Sequence, residues 1–182
     1  MKDLVSLIVM LFLFCSSTTN AQSVLGIAFG SSYETVKSAL VQRYGAGSVE
    51  DDNGVLKIYQ NVNVGDYAFD YAHFDFQRQG SKSYFYFAHF EAHFPLDSSK
   101  EAIANRDYLF NLLKGKYMSD YVDSYINDQG YKCYKFGTNP RNNDMPLGYI
   151  TLSKSVGNDR KERLYLDLEY GPIYYIDKSA DF

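Results

Sequence analysis

The stretch YFYFAHFEAHF, residues 84–94, decides how the chain is read. It is dominated by aromatic rings, and it carries His89, Glu91 and His93 at every second position. A period of two sends successive side chains to opposite faces of a β-strand. Tyr84, Tyr86, Ala88, Phe90, Ala92 and Phe94 then face a core, while Phe85, Phe87, His89, Glu91 and His93 look outward. Upstream, RQGSK (78–82) is a polar turn with a glycine, and residues 67–77 form a second alternating run, so the two read as a hairpin. A three-residue connection around Gly80 sets Phe76, Phe74, Ala72 and Ala68 beside the apolar set. The outward face then gathers five rings, Tyr67, Phe69, Tyr71, Phe85 and Phe87, together with all three histidines of the chain and Asp75.

On either side of this hairpin the chain repeats a pattern. SSYETV (31–36) and SSKEAI (98–103) each place a serine three residues before a glutamate, the arrangement that satisfies the free amides at a helix start. Tyr33, Val36, Leu40 and Tyr44 make an apolar stripe that Gly45 is placed to end. Ile103, Arg106, Phe110, Leu113 and Tyr117 trace a comparable stripe on a longer helix. Each helix is followed by an acidic, glycine-containing turn leading into a strand, DNGVLKIY (52–59) and DQGYKCYK (128–135), and then by two longer strands. In the second half these are 148–155 and 163–170, joined by the turn GNDRK. The expected fold is α+β: two helix–strand–strand–strand repeats, 22–95 and 96–182, forming one antiparallel sheet with both helices on one face.

The opening of the first unit, FGSSYETVKSAL (29–40), followed by meandering strands and then repeated, resembles the β-lactamase inhibitor protein type of architecture. It is also similar to the small outer-membrane assembly lipoproteins and to exported proteins of gut Bacteroidetes. The resemblance spans the chain after its leader and implies export, this fold and an inhibitor-like role.

Residues 1–21 read as that leader. Lys2 precedes a hydrophobic run from Leu4 to Phe14, and a Thr-x-Ala site at Ala21 predicts a mature chain beginning at Gln22. The run is shorter than the ~20 apolar residues of a membrane span, so no transmembrane segment is expected in the mature chain. Lipidation at Cys15 wants a small residue before the cysteine, and Phe14 stands there. Cleavage leaves Cys133 alone, without a disulfide partner, and its neighbours Tyr131, Tyr134 and Phe136 place it at a buried or half-buried strand position. The net charge is −4 with both signs interspersed, which argues against nucleic acid as a partner. Eighteen tyrosines and thirteen phenylalanines exceed what one core of this size takes in, so some rings belong at the surface.

Those rings support a non-enzymatic binding protein of the periplasm or the exterior, holding a protein or glycan partner on the aromatic sheet face, since contiguous exposed apolar patches mark interaction sites. An alternative is a metal site, with Zn²⁺ as the only cofactor the sequence suggests. Residues two apart on a strand are roughly 6.6 Å apart, so His89 and Glu91 can share an ion with His73 from the next strand. His89 and His93, at roughly 13 Å, cannot. Another alternative is a structural subunit of an envelope assembly. Glu91, Asp167 and Glu169 are carboxylates of the kind that glycosidases pair, although surface strands carry such residues routinely. The segment GTNPRNNDMPLG (137–148) reads as a long loop in which Arg141 could anchor a contact.

Overall fold

A computed structural model describes residues 22–117, 122–157 and 159–174, so the leader and Cys15 lie outside the described residues. The described residues open with two short paired strands, β1 (Ser23–Val24) and β2 (Ile27–Ala28), and helix α1 (Tyr33–Tyr44) follows. Next come β3 (Glu50–Asp52), β4 (Val55–Ile58), β5 (Val62–Val64), β6 (Tyr67–Phe69), β7 (Tyr71–Gln79) and β8 (Lys82–Pro95). Helix α2 (Ser99–Lys116) leads to β9 (Val122–Ile126), β10 (Lys132–Asn139), β11 (Asn142–Val156) and β12 (Glu162–Tyr170). Eight of these strands form one antiparallel sheet in the order β3-β4-β7-β8-β12-β11-β10-β9, and β5 and β6 pair separately.

This corrects the expected fold class. The chain is 53% strand, and the two α-helices among the described residues are unequal rather than a repeated pair. The 18-residue α2 lies against β8, β10, β11 and β12, whereas the 12-residue α1 meets chiefly β8. Each acidic turn proves to join two strands instead of leading into one. Asn53 and Gly54, with φ of 54° and 86°, make the tight connection between β3 and β4, the positive-φ pair that a two-residue hairpin requires. On the other side, β9 pairs with β10 from Val122 to Ile126. The segment 137–148 is likewise no loop: β10 continues to Asn139 and β11 starts at Asn142. Buried Asn139 secures that turn, donating from Nδ2 to the Pro172 carbonyl at 2.8 Å and accepting the Arg141 N–H at 3.0 Å.

The helix ends follow local chemistry. Ser32 is the residue that caps α1, its hydroxyl accepting the Thr35 N–H at 3.3 Å, one position later than the sequence pattern suggests. Gly45 ends the helix in a positive-φ conformation, its N–H returning to the Val41 carbonyl. On α2 the buried residues are Ala102, Arg106, Leu109 and Leu113, while Ile103 is exposed. Arg106 is tolerated there because its guanidinium donates to the Lys132 carbonyl at 2.8 Å and to Asp107 Oδ1 at 2.7 Å.

One hydrophobic cluster joins Val36 and Leu40 of α1 and Leu109 and Leu113 of α2 to the inner side chains of the sheet. Leu164, Leu166 and Leu168 alternate along β12, and Ile150 and Leu152 face the same side from β11. At the other end Phe69, Phe74, Phe85 and Phe90 interlock, with ring centroids 5.6–6.0 Å apart. Burying each ring contributes about 1.5–3 kcal/mol, so this ring cluster is a principal anchor of the sheet.

Candidate functional site

The site is the face of the sheet turned away from the helices, and the register between strands composes it. One row across the sheet runs Lys57, His73, His89, Glu169 and Tyr149. The next runs Tyr71, Glu91, Asp167 and Thr151, and a third runs His93, Tyr165 and Ser153. An open cleft of about 940 Å³ lies over these rows, with Tyr59, Tyr71 and Tyr165 among its walls.

Three of the five rings expected on this face are not there. Phe69 and Phe85 are fully buried in the core, and Tyr67 packs against that core, at 4.7 Å edge-to-face on Phe69. Two breaks in alternation cause this. The chain leaves the large sheet at Asp70, whose N–H donates to the Glu91 carbonyl and whose carboxylate accepts the His93 N–H, so β6 points Phe69 inward just before β7 points Ala72 inward. In the hairpin, Gln79 pairs with Lys82 across a two-residue turn, and a bulge follows: Phe76 faces Phe85, yet Asp75 faces Phe87. Tyr86 is the extra residue, and parity inverts across it. Phe85 therefore turns in, Phe87 turns out, and Tyr86 stacks on Tyr174 instead of entering the core. Tyr71 and Phe87 stay on the outward side, where a ribbon of rings runs from Tyr59 through Tyr71 and His73 to Phe87 at centroid spacings of 5.1–5.9 Å.

His73, His89, Glu91 and His93 all project into this face and are half-buried there. His89 is central, with only 14% of its side chain exposed, and so is Asp167. His89 Nε2 lies 2.8 Å from Asp167 Oδ1, and its Nδ1 lies 3.3 Å from His73 Nδ1. His73 Nε2 in turn faces Asp75 Oδ2 at 3.6 Å. Thr151 donates its hydroxyl to Asp167 Oδ2 at 3.3 Å. His93 Nε2 is bonded to Glu91 Oε1, and the ring of Tyr165 meets the His93 ring edge-on at 4.9 Å.

These contacts set the charges. For His89 burial is the largest influence and pushes the pKa down, but the bond to Asp167 and the charges of Asp167, Glu169 and Glu91 outweigh it and raise it above the ordinary 6.5. The bond to Glu91 raises His93 against the effect of its burial, with the Asp70 charge adding to the rise. For Glu91 burial acts upward, yet His93, His89 and His73 hold it below its ordinary range. Glu169 is raised, chiefly by burial. The face is therefore a lattice of paired imidazoles and carboxylates rather than a plain aromatic patch.

Among the described residues, the group placed to hold a metal ion is His89, Glu91 and Asp167, one ligand atom from each lying within 4.8 Å of the others. Asp167 takes the place expected for His73, which instead supports the far nitrogen of His89. The strict alternation of ERLYLDLEY (162–170) shows that Tyr165, Asp167 and Glu169 share a face, but nothing in the sequence says that β12 lies beside β8. No protein-family model matches the chain, and no curated protein or solved structure is significantly similar to it. No helix among the described residues is long and apolar enough to cross a membrane.

Proposed function

We propose that the chain is an exported, non-enzymatic binding protein that holds a neutral glycan across the outward face of its sheet. The leader-like residues 1–21 support export. The observation that carries the binding reading is the open cleft of about 940 Å³, with tyrosines at its walls and half-buried carboxylates and imidazoles on its floor. Sugar rings offer flat C–H faces to aromatic rings and many hydroxyl donors to carboxylates. Tyrosine supplies a large rigid surface at little ordering cost. The Tyr59 and Tyr71 rings, 5.1 Å apart with Tyr59 59% exposed, form the accessible platform. Glu91, Asp167, Glu169 and Asp70 make the floor rich in acceptors and unfavourable to an anionic sugar. With Phe69 and Phe85 withdrawn into the core, the apolar part of the face narrows, among the described residues, to the ribbon of rings from Tyr59 to Phe87. Residues 24–29 pack elsewhere: Val24 and Ile27 join the core and Phe29 stacks on Phe85.

The test is a panel of immobilised neutral oligosaccharides probed with the protein and with a Tyr59→Ala/Tyr71→Ala variant. A sugar bound by the first and lost by the second, with the variant's circular dichroism unchanged, supports the reading. Binding that survives in the variant rejects this face. Capture of a protein from envelope extract, with no sugar bound, rejects the glycan class.

A further inference from the structure

We propose that His89, Glu91 and Asp167 form a binding site for a divalent first-row transition metal ion, with Zn²⁺ as the best match. Glu91 and Asp167 are register partners on adjacent strands, and His89 sits two residues before Glu91 on the same face. Their ligand atoms converge to within 4.8 Å. The atoms on their far sides are already engaged by other groups. His89 Nδ1 is 3.3 Å from His73 Nδ1, Asp167 Oδ2 accepts from Thr151 Oγ1 at 3.3 Å, and Glu91 Oε1 is bonded to His93 Nε2. Outer partners of this kind orient metal ligands, fixing the imidazole and aiming each carboxylate. They leave His89 Nε2 and Asp167 Oδ1 pointed at each other, 2.8 Å apart, with Glu91 beside them.

The donor set selects the ion. Two carboxylates balance a 2+ charge, and an imidazole nitrogen suits Zn²⁺, whereas Ca²⁺ and Mg²⁺ take oxygen ligands in greater number. Three protein ligands leave a coordination position for water or a ligand on the side of the cleft. The site requires no sugar, because the protein's own atoms hold the ion, so it stands or falls apart from the glycan reading.

Isothermal titration of the purified, tag-free protein with ZnCl₂ tests it. One ion per chain is expected. The near-isosteric variants Asp167→Asn and Glu91→Gln should each weaken binding by about tenfold or more, with unchanged circular dichroism, and Thr151→Val by up to about tenfold through loss of its support to Asp167. CaCl₂ at the same concentrations should give no binding heat. Absence of Zn²⁺ binding up to millimolar concentration overturns the site, as does wild-type affinity in Glu91→Gln or in Asp167→Asn. Should one of these variants fail to fold, the other decides. Displacement of bound Zn²⁺ by equimolar Ca²⁺ overturns the choice of metal.

Discussion

The hairpin of β11 and β12 keeps a single register from Gly148–Tyr170 to Val156–Glu162, while the hairpin of β7 and β8 slips by one residue between Asp75 and Phe76. Both strand pairs bury one face under the helices and show the other to solvent. In the regular hairpin the sequence period survives whole: Leu164, Leu166 and Leu168 lie in the core, and Tyr165, Asp167 and Glu169 look out. In the bulged one, positions 85 and 87, two apart in sequence, end on opposite faces. Period two thus assigns faces only as far as the ladder runs unbroken. The bulge also has its own anchoring. Phe85 exchanges backbone hydrogen bonds with Gly30 and Ser31, and the Tyr86 carbonyl accepts the Ile173 N–H at 2.8 Å. The chain before α1 and the chain after β12 hold the irregular end of β8 in place.

The sharpest way to break the comparison is to truncate the two rings that the bulge separates. Phe85→Ala removes a ring with no exposed surface and should destabilise the protein by about 3–5 kcal/mol, as large-to-small core changes do. Phe87→Ala loses only a half-buried ring against His73 and Tyr86 and should cost about 1 kcal/mol. Urea unfolding of both variants measures the difference, and equal losses would mean that parity does not invert at Tyr86. The regular hairpin has a weak point of another kind at Gly148. A Cβ there would overlap the Glu169 carbonyl oxygen and come within 2.5 Å of Phe136 Cζ, so Gly148→Ala should cost about 1–3 kcal/mol by overpacking. A shift in the unfolding midpoint with an unchanged denaturant slope is the expected signature.

What the sequence disclosed follows the same division. The stop of α1 at Gly45 and the placement of Cys133 on a strand beside buried rings rest on local pattern, and local pattern suffices. The bulge was not legible because Phe85, Tyr86 and Phe87 are all aromatic, so no polar residue marks the point where the period jumps. The edge strand β3 is illegible for a related reason: it is three residues long, acidic and mostly exposed, with no apolar period to betray it. Of the candidate site, His73, His89, Glu91 and His93 could be placed on one face from β7 and β8 alone. Asp167 could not be joined to them, since the β8–β12 pairing connects segments some eighty residues apart through core contacts rather than through a turn.

The smallest expected effect concerns the charges shared between the two hairpins. His89 and His93 have folded pKa values above their ordinary 6.5, so their contribution is complete below pH 6.5 and fades as the pH rises past that value. Glu91 is held below its ordinary 4.5, so its contribution is present above 4.5 and is lost as the pH falls. Glu169 acts in the opposite sense: burial favours its neutral form, and its contribution declines as the pH climbs above 4.5. Together they place the optimum between about pH 4.5 and 6.5 and set a decline on the alkaline side, with Glu169 drawing the maximum toward the acid end. The groups are partly solvated, so the change should be on the order of 1 kcal/mol or less. Urea titrations from pH 5 to pH 8 in chelator-containing buffer would show it. The comparison sharpens in His93→Gln, which removes the imidazolium between Glu91 and Tyr165. Stability of that variant should vary less across pH 6.5–8 than that of the parent chain, and a slope identical to the parent's would show that His93 does not carry the pH response.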